Sequence, residues 1–229
     1  MFYKYLVVIA ALLVLATAAT SAVTTVAPTQ LPSDVTIHQR AISLAGAPDY
    51  ENLTTGLGYY YPGGAGVLVV DDVHRTTSAD IVGFGFAYYN ANTTDTAASA
   101  YFYTNTGDFD VANATLLASY DLGLVPAGAW IYTVDLPAPL AAPSDLWLGL
   151  KFGDANVGLI MFDPPTVGTS DNLFAKDTNG DGVLEGPYWF GGNPVANFGL
   201  ATYPVPEPGS ILALGTGLVG LLAFRRRRR

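Results

Sequence analysis

The feature that most constrains this chain is the alternation in residues 145–152, Asp-Leu-Trp-Leu-Gly-Leu-Lys-Phe. Leu146, Leu148, Leu150 and Phe152 fall on one side of an extended backbone, and Trp147, Gly149 and Lys151 on the other. Strand side chains point to opposite faces in turn, so one face of this segment is built to be buried. The pattern recurs. Residues 80–90 put Phe84, Phe86 and Tyr88 on one face, with Gly83, Gly85 and Ala87 between them. Residues 129–136 put Trp130, Tyr132, Val134 and Leu136 on one face and Ile131, Thr133 and Asp135 on the other. About ten short segments of this kind, separated by turn residues, can be drawn. Nothing between residues 30 and 203 carries the apolar spacing of a three-turn amphipathic helix. Short strands at regular spacing predict an all-β fold, a β-sandwich or jelly roll.

Composition agrees with strands and turns. Fourteen tyrosines and eleven phenylalanines suit pleated surfaces, and 25 glycines and 15 prolines supply the turns. The chain has no cysteine, which removes disulfides, thiol catalysis and cysteine-bound zinc.

Some stretches read less clearly. Residues 35–42 alternate at first and suggest a strand. Residues 56–66 read as a glycine-rich surface loop whose tip carries Tyr59, Tyr60 and Tyr61. Those rings would either stack on a sugar or pack on the domain. Asp71 and Asp72 interrupt an apolar run and are expected at a strand end on an acidic surface. Residues 122–128 read as a turn, and residues 137–143, rich in proline, as a connection.

The most specific internal motif is Asp177-Thr178-Asn179-Gly180-Asp181-Gly182-Val183-Leu184-Glu185. Oxygen donors at alternate positions can wrap a hard cation while glycine permits the bend. Asp177, Asn179 and Asp181 would give side-chain oxygens, Val183 its carbonyl, and Glu185 a further carboxylate; the ion would be calcium. The loop resembles those of dockerin and EF-hand proteins at these positions. It departs from them at the twelfth position, where Tyr188 replaces the bidentate glutamate, and in lacking flanking helices. A hairpin turn explains the same Asn-Gly-Asp-Gly chemistry.

No catalytic constellation is evident. His38 and His74 are the only histidines, and there is no His-Glu-x-x-His, no Gly-x-Ser-x-Gly and no phosphate-binding glycine loop. No catalytic residue is assigned, and the chain is not expected to be an enzyme.

The two ends carry a different signal. Lys4, an apolar stretch at 6–15 and small residues at 16–22 have the order of a secretory signal peptide, predicted over residues 1–22. The central domain is then residues 23–203. Its 4 basic residues against 18 acidic ones leave a net charge of −14, which repels nucleic acid and suits a setting rich in divalent cations. Residues 204–229 contain Pro206-Glu207-Pro208, an apolar run at 211–224, and Arg225, Arg226, Arg227, Arg228 and Arg229. As a helix, residues 209–224 would be about 24 Å long, against a hydrocarbon core of about 30 Å. That predicts one short transmembrane helix, with its arginines held inside and the domain outside.

This tail resembles the PEP-CTERM sorting signal. Such tails are also labelled an ice-binding protein C-terminal domain, although the threonines here form no regular array. The resemblance implies an exosortase-type membrane protease as partner, with cleavage near Pro206-Glu207-Pro208. It further implies inner-membrane residence during sorting, then the cell surface or extracellular matrix. Asp71-Asp72, the Phe-rich strand and Leu146-Trp147-Leu148-Gly149 are similar to β-sandwich ectodomains that precede such tails. The expected role is a non-catalytic protein of the surface, biofilm or exopolysaccharide matrix. Two other readings stay open: a carbohydrate-binding module using Tyr59, Tyr60, Tyr61 or Trp189 on extracellular polysaccharide, and a secreted polysaccharide hydrolase.

Overall fold

The computed structural model describes residues 23–40, 46–105 and 111–206. The predicted signal peptide and the apolar and arginine-rich parts of the tail, with Glu207, Pro208 and Arg225 to Arg229, lie outside the described residues.

The described residues form strands and one short 3-10 turn at Val111–Asn113, with no α-helix. In chain order the early strands are β1 (Thr24–Thr25), β2 (Thr29–Gln30), β3 (Ile37–Arg40), β4 (Tyr50–Glu51), β5 (Gly56–Tyr61) and β6 (Leu68–His74). The long central strands follow: β7 (Ile81–Asn90), β8 (Thr96–Thr104), β9 (Leu116–Val125), β10 (Gly128–Leu140), β11 (Asp145–Phe152) and β12 (Val157–Phe162). The last are β13 (Phe174–Asp177), β14 (Glu185–Trp189) and β15 (Leu200–Pro204). They make two sheets. The first runs β1-β14-β13-β6-β11-β8-β9, and the second β2-β5-β12-β7-β10-β3, with β15 joining β7 to β4.

The alternating segments read from the sequence supply the facing sides of the two sheets. Phe84, Phe86 and Tyr88 of β7 are buried with Leu146, Leu148, Leu150 and Phe152 of β11 in one cluster. Phe84 meets Phe102 of β8 edge to face at 5.3 Å, and Tyr88 meets Phe152 at 5.8 Å, so aromatic rings bridge the layers. The outer face of the first sheet holds a smaller cluster of Leu68, Val70, Tyr103, Val111, Trp147 and Leu184. Gly149 is required where β11 passes β6: a Cβ there would lie 1.8 Å from the Val69 carbonyl oxygen.

Four expectations need correcting. Of residues 122–128, read as a turn, Leu122 to Val125 belong to β9 and pair with β8. Residues 56–61 are strand β5 and not a loop, pairing with β12 and β2. Proline did not end β10, which runs through Pro137 and Pro139 to Leu140. The register against β7 shifts between Asp135 and Leu140, and an irregularity is where a strand tolerates residues that cannot donate to the ladder. Asp71 and Asp72 do not sit at an exposed strand end. They lie within β6, which is hydrogen-bonded on both edges by β11 and β13, and both are fully buried.

Candidate functional site

Two adjacent carboxylates inside a buried strand must find partners, because a buried unpaired charge is costly. Alternation sends them apart. Asp71 shares the inward face of β6 with Val69 and Val73, while Asp72 and His74 share the outward face with Leu68 and Val70.

On the outward face Asp72 accepts from the Asp171 backbone N–H at 2.6 Å and from Ser170 Oγ at 3.2 Å. His74 closes the arrangement. Its Nε2 lies 3.0 Å from Asp72 Oδ2 and 3.5 Å from Asp171 Oδ2, and its Nδ1 lies 2.5 Å from Asp145 Oδ1. Register explains the last contact, since Asp145 of β11 is the cross-strand neighbour of His74. Ser144 Oγ steadies the other Asp145 oxygen at 2.9 Å.

With a carboxylate on each side of the ring, protonation is favoured. The hydrogen bond to Asp72 is the largest cause, opposed by burial and helped by Asp145, and the imidazole is pushed up to about 9. His74 in return lowers the Asp145 carboxyl, while burial raises that of Asp72. Among the described residues, Asp72, His74 and Asp171 each bring one ligand atom within 4.8 Å of the others, a group that could hold a metal ion. A doubly donating imidazolium already accounts for the geometry as an ion-pair clasp at the end of β6.

The next residue, Arg75, forms a second clasp. Its Nη2 lies 2.6 Å from Asp49 Oδ2, with the two side chains 0% and 2% exposed. Arg75 also donates to the carbonyls of Ala79, Ala142 and Pro143. Thr77 and Thr202 donate to Asp49 at 2.8 and 2.7 Å. This network ties the end of β6 to β15.

The Asp177 loop joins β13 to β14 as a hairpin. Both Asp177 oxygens accept backbone N–H groups, from Gly180 at 2.6 Å and Gly182 at 2.9 Å. Both glycines have positive φ, 77° and 83°, which makes the bend possible. Asn179 Oδ1 accepts from Asp181 N, Asp181 Oδ1 from Val183 N, and Glu185 Oε2 from Thr178 Oγ1. The loop shapes itself by Asx-turn chemistry. Leu184 pins it to the outer cluster, while Val183 is half exposed.

The aromatic candidates do not share a face. Alternation along β5 puts Tyr59 and Tyr61 against the inter-sheet core and Tyr60 on the opposite side, where it meets Tyr89 edge to face at 5.0 Å. Tyr61 packs on Phe174 and accepts from Lys176 Nζ at 3.3 Å. Trp189 is half-buried on β14 and donates to Thr25 Oγ1. Sequence reasoning missed both clasps. The spacing Asp72-x-His74 was a usable signal, since two residues apart on one strand means one face. The pairing of Arg75 with Asp49 left no such signal.

Residues 204–228 match the family model described as the PEP-CTERM protein-sorting motif. No curated protein and no solved structure matches the chain. The chain therefore carries the sorting motif that its tail resembles. That motif implies an exported protein processed by exosortase, a membrane protease, and passed through the membrane to the cell surface.

Proposed function

We propose that the chain is a non-catalytic protein of the cell surface or extracellular matrix, delivered there by its tail and acting through the β-sandwich. The observation that carries this reading is the junction between fold and motif. The last strand, β15, ends at Pro204, the first residue of the matched motif. Thr202 and Val205 still bond to Asp49 and Asp80, so the sandwich is tied off where the motif begins. A sandwich held by its own core can survive removal of such a tail. In a biofilm or exopolysaccharide matrix, a domain of net charge −14 would bind divalent cations and repel anionic polymers. The Asp177 loop is the proposed calcium loop of that domain, using Asp177, Asn179, Asp181, the Val183 carbonyl and Glu185.

Localisation tests the proposal. In a host with exosortase the protein should be recovered from the surface or matrix and be accessible to added protease on intact cells. Deleting exosortase should hold it in the inner-membrane fraction. Equal surface recovery in both strains would defeat the reading.

A further inference from the structure

Three buried oxygen atoms, Tyr50 Oη, Asn52 Oδ1 and Asp71 Oδ1, make no hydrogen bond of regular geometry among the described residues. All three residues are 0% exposed. Buried polar atoms are almost always partnered, and leaving a charged one alone is the costliest case. These three belong together. Phe198 pairs with Met161 of β12, and its flanking groups, Asn197 O and Gly199 N, bond to that strand. The N–H and C=O of Phe198 itself are taken by side chains: Asp71 Oδ2 accepts the N–H at 2.7 Å, and Asn52 Nδ2 donates to the carbonyl at 3.1 Å. Asn52 is fixed further by donating to the Phe162 carbonyl at 2.9 Å. With their other atoms held, Asn52 and Asp71 each keep one free oxygen. Tyr50 belongs to the same surroundings. Burial raises its phenol most, the charges of Asp71 and Asp72 add to the rise, and side-chain hydrogen bonding with Ser170 and Asn52 opposes it.

Among the described residues, no basic side chain is paired with Asp71. Asp71 is raised by burial first and then by Asp72, with Asp163 adding to the repulsion. The basic side chains that flank β6 are engaged elsewhere: His74 on the opposite face with Asp72 and Asp145, Arg75 with Asp49.

We propose that Asp71, Asn52 and Tyr50 form a buried site for a hard divalent cation, calcium by its chemistry, which pins β6 of the first sheet to the Tyr50–Asn52 and Phe198 segments of the second. The donors are a carboxylate, an amide carbonyl and a phenol, all oxygen. Calcium accepts such mixed and irregular oxygen sets, whereas transition metals favour nitrogen or sulfur. Asp163, whose Oδ1 is held by Asn197 Nδ2 at 2.7 Å, supplies the second negative charge nearby. This site is separate from the Asp177 loop and does not depend on it. The competing explanation is a proton: the Tyr50 hydroxyl donating to Asp71 or Asn52, or a neutral Asp71 donating to Asn52 or Tyr50.

The test uses the full chain in detergent, carrying Asp177→Ala and Asp181→Ala so that the hairpin loop cannot contribute. Saturating calcium after chelator treatment should raise the melting temperature by about 5–10 °C, the shift expected for a ligand at about a hundred times its dissociation constant. Asp71→Asn, which mimics the protonated acid, should abolish the calcium shift. Terbium in place of calcium gives a second readout that keeps the carboxylate: luminescence excited through tyrosine should appear in the parent and be lost in Tyr50→Phe. A calcium shift that survives Asp71→Asn would overturn the proposal. So would no calcium shift together with no sensitised terbium emission in the parent, the result a buried proton predicts.

Discussion

Arg75 and Asp49 are opposite charges sealed from solvent at 2.6 Å, each with further hydrogen bonds. Breaking such a pair from one side leaves a bare buried charge. Arg75→Met should therefore destabilise the domain by about 3–5 kcal/mol, read by urea denaturation. Removing both charges with Asp49→Leu should recover part of that loss. His74 gives a pH signature with a definite sign. Its folded value is about 9 against an ordinary 6.5, so its contribution is complete below pH 6.5 and lost as pH rises towards 9. The midpoint of denaturation should fall across that window, and His74→Gln should flatten the fall. Little of this was legible in the sequence. Asp71 and Asp72 looked like surface acids because the partners that make them tolerable, Phe198 and Asp171, lie far along the chain. His74 stood two residues from Asp72, and that spacing alone pointed to a shared face.

At the level of elements, alternation was the reliable guide, and it worked where a strand has one face in the core. The faces read for residues 80–90, 129–136 and 145–152 are those found in β7, β10 and β11. It was weaker where turn residues enter a strand. The glycines of β5 and the prolines of β10 suggested connections, yet β5 pairs with β12 and β2, and β10 resumes its pairing at Leu140 after a shifted register that spans the prolines. Glycine in a strand can also be a packing requirement. Gly149→Ala would drive a Cβ into the Val69 backbone, so it should cost about 3 kcal/mol, at the upper end of overpacking, or prevent folding. Gly153→Ala would meet its nearest neighbour, Ala97, at an ordinary 3.5 Å and should melt close to the parent. Equal melting of the two variants would contradict the close approach of β11 to β6.

For the whole molecule, the sorting motif over residues 204–228 begins where the last strand ends, and the proposed function takes the sandwich as cargo and the motif as its address. The cargo's acidic composition and the two proposed oxygen-lined sites suit a calcium-containing exterior, and the matched tail implies how it arrives. The fold class was readable because it depends on periodicity, which is local. What the domain binds was not, because binding depends on groups that the topology gathers from distant strands. The most direct measurement is the mass of the mature surface form from a host with active exosortase. The account predicts a C-terminus near Pro206-Glu207-Pro208, with residues 211–229 gone. An intact chain ending in Arg225 to Arg229 on the surface would contradict it and leave the tail as a permanent anchor.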